Sequence, residues 1–411
     1  MGGIASTMTA PFMQPWVLYV GPFSYPWGQA GSRRVHGIAK SIVGAGYNVV
    51  VGASDYSSPE PAPLSSEPRI HHFGTGELPT DLPRLTLATR LVLTGGRRVR
   101  RWLDRHRHHP PAAIIVYGGF APWLWNLHGW ARRHGVALIA DIVEWYDPRY
   151  LKGGRFGPLS IEAAIAHHVL HRHLDGVISI SSYLRRHHDT FEIPSVMVPP
   201  TIDFALMSQG PEVDTLPTGD HTEILYFGTP GAKDELETIV RAAANVKGVR
   251  LVVAGPSFDE VQRMVPVAQE SKLLILGNVP QDQVRELVKR VSFTILIRKP
   301  KRSNQAGFPT KFVESMSVGT PVIANHTSDL ANYLDDGING LVSSGHSVEA
   351  VTATLQRAAR LNADQLASMG RAAKETGHRF SSSNYTDALQ RFLEMATTRA
   401  RNGHSRANGS S

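Results

Sequence analysis

The chain has 411 residues and contains no cysteine. Disulfides, zinc–thiolate sites and a catalytic thiol are therefore excluded, and the composition fits a reducing compartment. Every apolar run is shorter than the roughly 18–20 residues that a membrane-spanning helix needs. Residues 1–16 lack the basic start and long apolar stretch of a signal peptide. We therefore expect a cytoplasmic protein.

Acidic and glycine-rich ligand motifs are also missing. The chain has no Asp-x-Asp triplet, which disfavours a metal-chelating acidic site. Its first glycine-containing loop does not follow the Gly-x-Gly-x-x-Gly pattern, so we expect no bound dinucleotide. No recognisable nucleic-acid-binding module is found. The sequence therefore predicts no metal, no resident cofactor and no nucleic-acid partner.

Histidine, in contrast, is abundant, with 19 residues in the chain. Several of them form short clusters, at 106–109, 167–173 and 187–188. His167 and His171 are four positions apart, so one helix face could present both to a metal. The glutamate of a metalloprotease motif and the signature of a third ligand are missing. We therefore interpret this cluster as a polar helix face.

Short runs rich in Val, Ile, Leu and Ala alternate with helical segments in both halves of the chain. Strands without polar alternation are expected in parallel sheets that helices cover on both faces. The predicted strands are Trp16–Gly21, Asn48–Ser54, Ala112–Gly118, Ala137–Glu144, Gly176–Ser181, Ser195–Pro200, Glu223–Gly228, Arg250–Gly255, Leu273–Gly277, Phe293–Arg298 and Pro321–Asn325. The predicted helices are Ser32–Ala45, Arg84–Arg107, Ala121–His134, Ser160–His173, Asp234–Val246, Asp259–Val267, Gln281–Arg290 and Thr310–Ser317.

This alternation predicts two doubly wound α/β domains, since a turn-rich stretch near 205–220 separates two series of strands. In such sheets, ligands bind at the carboxyl ends of the strands, and the cleft between two lobes is the expected site. The predicted divisions are a flexible N-terminus at 1–15, domains at 16–205 and 206–380, a terminal helix at 381–398 and a disordered tail at 399–411.

Residues 307–342 carry the strongest functional signal. A strand ending at Arg298 is followed by a loop and by a helix opening near Pro309. The first backbone N–H groups of that helix, at Thr310 and Lys311, suit a phosphate. Glu314 lies one helical turn further, where its carboxylate could accept hydrogen bonds from vicinal hydroxyls. An ordinary strand–helix–strand unit remains the alternative.

This stretch resembles the C-terminal donor-binding motif of retaining glycosyltransferases of family 4, which have the GT-B fold. The matching positions are Glu314, Gly319, Pro321, Val322, Ile323, Asp336, Gly337, Asn339 and Gly340. The family often has a second glutamate eight positions before Glu314, where this chain has Ala306. Residues 307–311 instead resemble a Gly-Phe-Pro-Thr-Lys subgroup. The resemblance implies that the backbone of Gly307, Phe308, Pro309 and Thr310 contacts the donor sugar.

The same resemblance covers the turn after the strand at 223–228. Gly228 and Lys233 match its glycine and lysine, but Thr229 stands where the family has arginine, and Arg298 is the candidate substitute cation. The alternative is an ordinary turn with a solvated lysine. The loop Gly277-Asn278-Val279 is similar to the family's base-binding loop.

Two loops of the first half complete the predicted site. The loop after the first strand contains Ser24, Gly28, Gly31 and Ser32, with Ser32 as the expected cap of a helix that begins at Arg33. Arg33 could meet an anionic acceptor or a diphosphate, or form a surface salt bridge. Glu144 and Asp147 follow another strand, where the family often has a histidine. They could bind hydroxyls or assist proton transfer, or cap a helix and pair with Arg149 or Arg155.

The densest basic run is Arg97–Arg107, in a chain whose Lys+Arg count of 43 exceeds its Asp+Glu count of 35. We predict either contact with an anionic membrane surface or a core-facing apolar stripe with a solvated cationic face.

The resemblance implies a GT-B fold, with two Rossmann-like doubly wound parallel-sheet domains facing a central cleft and a last helix that crosses back to the first domain. It further implies transfer of a hexose-type sugar, with retention, from a nucleotide-sugar donor to a glycan, lipid-linked or small-molecule acceptor, without a metal. Three alternatives remain. They are a GT-B sugar-nucleotide epimerase, a catalytically degenerate binding or partner subunit, and a two-lobed solute-binding protein, which the lack of a visible export signal disfavours.

Overall fold

The computed structural model describes residues 14–26, 30–55, 58–77, 94–151, 153–204, 221–228, 233–264 and 272–408. The chain divides into two compact units. Unit 1 comprises Met1–Thr201 together with Ser382–Ser411, and unit 2 comprises Ile202–Ser381.

Unit 1 is built on an eight-stranded sheet. Its strands are β1 (Trp16–Val20), β2 (Asn48–Ala53), β3 (Ala62–Leu64), β4 (Glu67–Gly74), β5 (Ala113–Tyr117), β6 (Ala137–Ile142), β7 (Gly176–Ser179) and β8 (Ser195–Met197). They lie in the order β3-β4-β2-β1-β5-β6-β7-β8. All neighbours pair in parallel except β3, which pairs antiparallel with β4. Every residue of β1, β2 and β6 is buried, as expected for a parallel sheet covered on both faces.

The helices of unit 1 are α1 (Ala30–Gly44), α2 (Arg97–Arg105), α3 (Ala121–His134), α4 (Pro158–Ile165), α5 (Ser182–Asp189) and α13 (Thr386–Asn408). The apolar face of α13 belongs to the core of unit 1 through Leu389, Phe392, Leu393 and Ala396. The prediction of a disordered tail from residue 399 is wrong over 399–408, because α13 continues to Asn408.

Unit 2 contains a six-stranded parallel sheet. Its strands are β9 (Thr222–Phe227), β10 (Val249–Ala254), β11 (Leu273–Gly277), β12 (Phe293–Leu296), β13 (Val322–Ala324) and β14 (Gly340–Val342). Their order is β11-β10-β9-β12-β13-β14, the arrangement of a doubly wound Rossmann-like sheet. The helices are α6 (Leu236–Ala244), α7 (Phe258–Gln262), α8 (Gln281–Arg290), α9 (Arg302–Ala306), α10 (Thr310–Ser317), α11 (Val348–Ala358) and α12 (Ala363–His378).

Most predicted elements are present, with ends that differ by a few residues. The basic helix begins at Arg97, and residues 84–93 of the predicted helix lie outside the described part of the chain. The predicted helix at 160–173 starts at Pro158 and changes at Ala166–Leu170 into a π-helical turn, followed by a 3-10 turn at His171–His173. The elements that were not predicted are β3, β4, β14, α5, α9 and α11.

Candidate functional site

The strand order places the candidate site of unit 2 where the sheet reverses direction. The first strand, β9, lies between β10 and β12, so the connections after β9 and β12 leave toward opposite faces. Ligands of doubly wound sheets bind at the carboxyl ends of strands at such a switch point. Gly228 follows β9 directly, and Arg298 follows β12 by two residues. The structure therefore brings these two predicted residues to the expected edge.

Three charged side chains meet at this edge. Arg298 Nε lies 2.8 Å from Asp234 Oδ1, and Lys311 Nζ lies 2.6 Å from Asp234 Oδ2. The Tyr226 hydroxyl also donates to Asp234, at 3.3 Å. The Lys311 ammonium stands 4.5 Å from the centroid of the Tyr226 ring, a favourable cation–π distance. We call Asp234, Arg298 and Lys311 the charged triad.

The charged triad carries one surplus positive charge, because one carboxylate faces two cations. Burial tends to raise the pKa of the Asp234 carboxyl, but Arg298 and Lys311 outweigh burial and hold it below its usual value. Burial lowers the pKa of the Lys311 ammonium, and the attraction of Asp234 opposes that shift. The edge is therefore suited to an anionic ligand group. Asp234 was not singled out from the sequence, although it directly follows the predicted Lys233.

Gly228 lets the Lys311 side chain reach the end of β9. Its φ is +103°, a conformation that favours glycine. A Cβ atom placed on Gly228 would lie 2.9 Å from Lys311 Cε and 3.2 Å from Lys311 Nζ. A side chain at position 228 would therefore displace the lysine from the edge.

The helix α10 starts at Thr310, and Pro309 is its N-cap. The first N–H groups of a helix have no partner within the helix and attract anions. Glu314, the predicted ribose ligand, is partly exposed one turn further. Ala306, at the position of the family's other glutamate, is fully buried at the end of α9.

Several motif residues are placed in structural roles. Phe308 is only 6% exposed and contacts the rings of Phe312, Tyr333 and Phe380. Its backbone, with that of Gly307, leads into α10. The aromatic ring is therefore a core element rather than a ligand-facing group.

The Asp-Gly-x-Asn-Gly turn is structural as well. Asn339 is buried, accepts a hydrogen bond from the Asp335 N–H and donates to the Tyr333 carbonyl and the Thr376 hydroxyl. Asp336 pairs with Arg357 at 2.9 Å. These contacts fix the entry into β14 rather than contribute polar groups to the charged triad.

The predicted base-binding loop lies at the end of β11. Gly277 has a φ of +66°, and its carbonyl accepts a hydrogen bond from the Gly255 N–H at 2.6 Å. Asn278 is exposed, and Val279 packs against the core cluster that contains Leu225. Lys233 is half-buried at the start of the segment before α6, where its carbonyl accepts from Asn304 Nδ2.

In unit 1, Arg34 is buried at the sheet, and its neighbour Arg33, the predicted site residue, is half-buried on α1. Arg34 binds Asp141 through two guanidinium nitrogens, with a shortest distance of 2.6 Å, and donates to the Val198 carbonyl at 2.8 Å. The Tyr19 hydroxyl donates to the same carboxylate at 2.5 Å. Burial first, and then Asp141, raises the pKa of Tyr19 well above its usual value. The sequence pattern of the predicted helix did not indicate which of the two neighbouring arginines, Arg33 or Arg34, faces the sheet.

The glycine-containing loop after β1 lies at the switch point of unit 1, next to the end of β5. Ser32 donates to the Ser24 carbonyl at 2.6 Å. The prediction that Ser32 caps a helix starting at Arg33 is wrong, because α1 already begins at Ala30. A Cβ on Gly31 would lie 3.0 Å from the Tyr117 hydroxyl oxygen. Gly28 lies outside the described residues.

The two predicted carboxylates after β6 have different surroundings. Glu144 is partly exposed and contributes, after burial and Asp141, to the raised pKa of Tyr117 at the end of β5. Asp147 accepts from the Arg149 N–H at 3.0 Å and pairs with the Arg149 side chain at 2.7 Å. Of the alternatives left open for Asp147, these contacts favour capping and a salt bridge.

The basic helix α2 buries Val99, Trp102 and Leu103 in unit 1. Its apolar stripe therefore faces the core, while Arg97, Arg101 and Arg105 are exposed. Among the described helices, none combines the length and the apolarity that crossing a bilayer requires.

Comparison with known families agrees with this geometry. A model described as "Glycosyl transferase 4-like domain" matches residues 30–201, and one described as "Glycosyl transferases group 1" matches residues 221–360. The chain belongs to the group 1, family 4-like glycosyl transferases. The family suggested by residues 307–342 is thus confirmed.

Relatives within this family include D-inositol 3-phosphate glycosyltransferases. The Mycobacterium marinum protein is 33% identical over 159 residues, which cover 37% of this chain and 34% of that protein. The Mycobacterium tuberculosis protein (strain H37Ra) is 32% identical over 176 residues, which cover 41% of this chain and 36% of that protein. The matched region therefore spans about a third of the length of these curated relatives.

Solved structures of other proteins have the same fold. Sucrose-phosphate synthase from Thermosynechococcus elongatus superposes with a TM-score of 0.70 at 15% identity, covering 93% of this chain and 100% of that one. HepE from Anabaena, in complex with UDP and glucose, superposes with a TM-score of 0.61 at 13% identity. The superposition covers 92% of this chain and 99% of the HepE chain. The prediction of a GT-B fold with two Rossmann-like parallel-sheet domains is confirmed.

Proposed function

We propose that this glycosyl transferase moves a hexose-type sugar from a nucleoside-diphosphate sugar to a hydroxyl acceptor, with retention of anomeric configuration. The observation that carries the proposal is the surplus positive charge of the charged triad at the switch point of unit 2. A diphosphate is the ligand that such an edge, next to the start of α10, would bind best.

In this proposal, Lys311 and Arg298 neutralise the charge that develops on the leaving diphosphate, assisted by Lys233 and by the N–H groups of Thr310 and Lys311. Groups already oriented toward a developing charge lower the barrier without reorganising during the reaction. Glu314 binds the ribose hydroxyls, and the backbone at Gly228 lets the diphosphate approach β9.

Two backbone segments near the charged triad bind the nucleobase and the sugar of the donor in this proposal. The loop Gly277-Asn278-Val279 reads the nucleobase, and the backbone of Gly307–Thr310 contacts the sugar in place of the missing carboxylate at Ala306. UDP is the first nucleotide to test, because the HepE structure is described as a complex with UDP and glucose.

Unit 1 supplies the acceptor site in this proposal. Glu144, in the segment that follows β6, is the candidate for binding a hydroxyl or accepting its proton. Arg33 on α1 and the loop with Ser24, Gly31 and Ser32 complete that site. The acceptor is a glycan, a lipid-linked molecule or a small molecule, and D-inositol 3-phosphate is the first to test because the relatives' names specify it.

Contact with an anionic membrane surface is proposed for the exposed arginines of α2, by charge attraction alone, because its apolar stripe is buried. Binding to vesicles with anionic lipid, absent for neutral vesicles and lost in Arg97→Gln/Arg101→Gln/Arg105→Gln, would support it. Equal binding by the variant would refute it.

Isothermal titration with UDP, GDP, ADP and dTDP tests the donor site. We expect one nucleotide to bind and Lys311→Met to weaken it about 10- to 150-fold, the range for a lost hydrogen bond to a charged group. Lys247→Met, which removes an exposed lysine of unit 2, is the matched control and should leave the affinity unchanged. Equal effects of the two substitutions would remove the support for a phosphate site.

Product analysis then distinguishes a transferase from an epimerase and from a degenerate subunit. The substrate is the nucleotide-sugar that contains the nucleotide found to bind. A transferase consumes the donor only with an acceptor and forms a product of the donor's anomeric configuration. An epimerase would convert the donor without an acceptor. A folded protein that binds none of the four nucleotides would contradict the proposal and favour a degenerate partner subunit.

A further inference from the structure

Unit 1 contains four histidines that come together from two segments of its chain. His167 lies in the π-helical turn Ala166–Leu170, His171 follows in the 3-10 turn, and His187 and His188 lie on α5. One ring nitrogen from each of His167, His187 and His188 lies within 4.8 Å of one from each of the others. We call these four residues the histidine cluster.

Hydrogen bonds to backbone carbonyls fix the tautomers of two rings. His171 Nε2 lies 3.0 Å from the Gly119 carbonyl, and His188 Nδ1 lies 2.7 Å from the Leu184 carbonyl. A carbonyl only accepts, so both of these nitrogens carry hydrogen. In neutral rings, the remaining nitrogens, His171 Nδ1 and His188 Nε2, therefore bear lone pairs.

These two lone-pair nitrogens face each other at 3.2 Å. Two acceptors at that distance repel unless a proton or a cation interacts with both. A tetrahedral Zn²⁺ with bonds of roughly 2.0–2.1 Å holds its ligand nitrogens about 3.3 Å apart. The observed spacing is thus that of two ligands of one ion.

The other two histidines offer further lone pairs. His167 is 4% exposed, and its Nδ1 atom is buried without a hydrogen-bond partner among the described residues. His187 Nε2 lies 3.3 Å from the His167 carbonyl, which leaves His187 Nδ1 as its lone-pair nitrogen.

We propose that His167, His171, His187 and His188 bind one divalent transition-metal ion of the Zn²⁺ class. Ligands that are all imidazole suit Zn²⁺, Co²⁺, Ni²⁺ and Cu²⁺ and exclude the oxygen-seeking Mg²⁺ and Ca²⁺. Ring N–H groups that donate to backbone carbonyls are the usual outer support of histidine ligands. A π-helical turn, which carries His167, is frequent at functional sites.

The metal is structural in this proposal. It joins α5 to the turns before β7. Because His171 also donates to the Gly119 carbonyl, the metal would hold the loop after β5 in place as well. The Trp145 ring stacks on His167 at 4.6 Å and 6°, so the segment that follows Glu144 rests on the same cluster. The site is independent of the transferase reaction, and its test does not use activity.

The test is a competition titration of the full chain, without a histidine tag, in which a chromophoric chelator competes for Zn²⁺. We expect one equivalent to bind at least 100-fold more tightly than any further equivalents. The double variant His187→Gln/His188→Gln should lose this tight equivalent. His108→Gln/His109→Gln, another adjacent pair but exposed, is the matched control and should retain it.

Folding is checked by circular dichroism, and His187→Gln alone decides the result if the double variant fails to fold. Because His187 is half-buried, His187→Gln should weaken Zn²⁺ binding at least tenfold without loss of structure. Co²⁺ should give the visible absorption of a tetrahedral nitrogen site in the wild type and in the control, but not in the double variant His187→Gln/His188→Gln. The proposal fails if no tight equivalent binds, or if nitrogen NMR of the metal-titrated protein shows a proton retained between His171 and His188.

Discussion

Lys311 Nζ lies 2.6 Å from Asp234 Oδ2, although the two residues are 77 positions apart in the chain. The contact joins the start of α10 to the turn that leads into α6, and Arg298 binds the other carboxylate oxygen at 2.8 Å. One buried carboxylate therefore positions both cations that the proposed function assigns to the diphosphate.

Asp234→Asn should lower the free energy of unfolding by about 3–5 kcal/mol, because it leaves two partly buried cations without their counter-charge. Urea unfolding at pH 7 measures this change. Glu237→Gln, which breaks an exposed pair with Arg241, is the control and should cost no more than about 0.5 kcal/mol. A loss for Asp234→Asn as small as that of the control would contradict the structural role.

The same carboxylate should make stability depend on pH. Its pKa is lower in the folded protein, so its contribution is present above the unfolded value of about 3.9 and is lost as the pH falls through the folded value. Between about pH 5 and pH 2, wild-type stability should therefore fall more steeply than that of Asp234→Asn. Parallel curves would show that Asp234 titrates normally.

Arg34→Met should destabilise unit 1 by about 3–5 kcal/mol, since it leaves the buried Asp141 carboxylate uncompensated. Its neighbour supplies the comparison, because Arg33→Met on the same helix should destabilise the protein by no more than about 1 kcal/mol, the upper range for a pair that is not fully buried. Thermal unfolding of both variants measures the difference. If Arg33→Met were the more damaging, the assignment of the buried arginine would be wrong.

Gly340→Ala should destabilise unit 2 by about 1–3 kcal/mol or more. A Cβ atom at that position would lie 2.2 Å from the Val322 carbonyl oxygen and 2.7 Å from Leu334 Cδ1. Gly129→Ala, in α3, meets nothing within 4 Å and should instead stabilise the protein by about 0.5–1 kcal/mol. Chemical denaturation of the two variants should give changes of opposite sign.

Ala306→Glu restores the family's usual carboxylate, but we expect it to destabilise the protein by about 2 kcal/mol or more. The position is fully buried at the end of α9, so the new charge would lose its hydration. Ala363→Glu, at the exposed first position of α12, is the control and should be neutral or stabilising. A gain in nucleotide affinity without loss of stability in Ala306→Glu would show that the site still accommodates the carboxylate.

The strands of both sheets were predictable because nearly continuous apolar runs are what a doubly covered parallel sheet requires. The sequence patterns of the short strands β3 and β14 and of the helix α5 are weaker than these apolar runs. α5 reads as Ser-Tyr-Leu-Arg-Arg-His-His-Asp and has only Leu184 and His188 buried. Its position depends on tertiary packing rather than on a repeating apolar face.

The sequence by itself determined the family, the two-domain α/β plan and the segments that reach the site edge of unit 2, because these follow from local patterns and motif spacing. Only the tertiary structure decided which charges meet. It buried Arg34 rather than Arg33, paired Lys311 and Arg298 with Asp234, placed the Phe308 ring in the core, and gathered the histidine cluster. The physical reason is that a side chain's partner and exposure depend on elements distant in the chain, which spacing along the sequence does not specify.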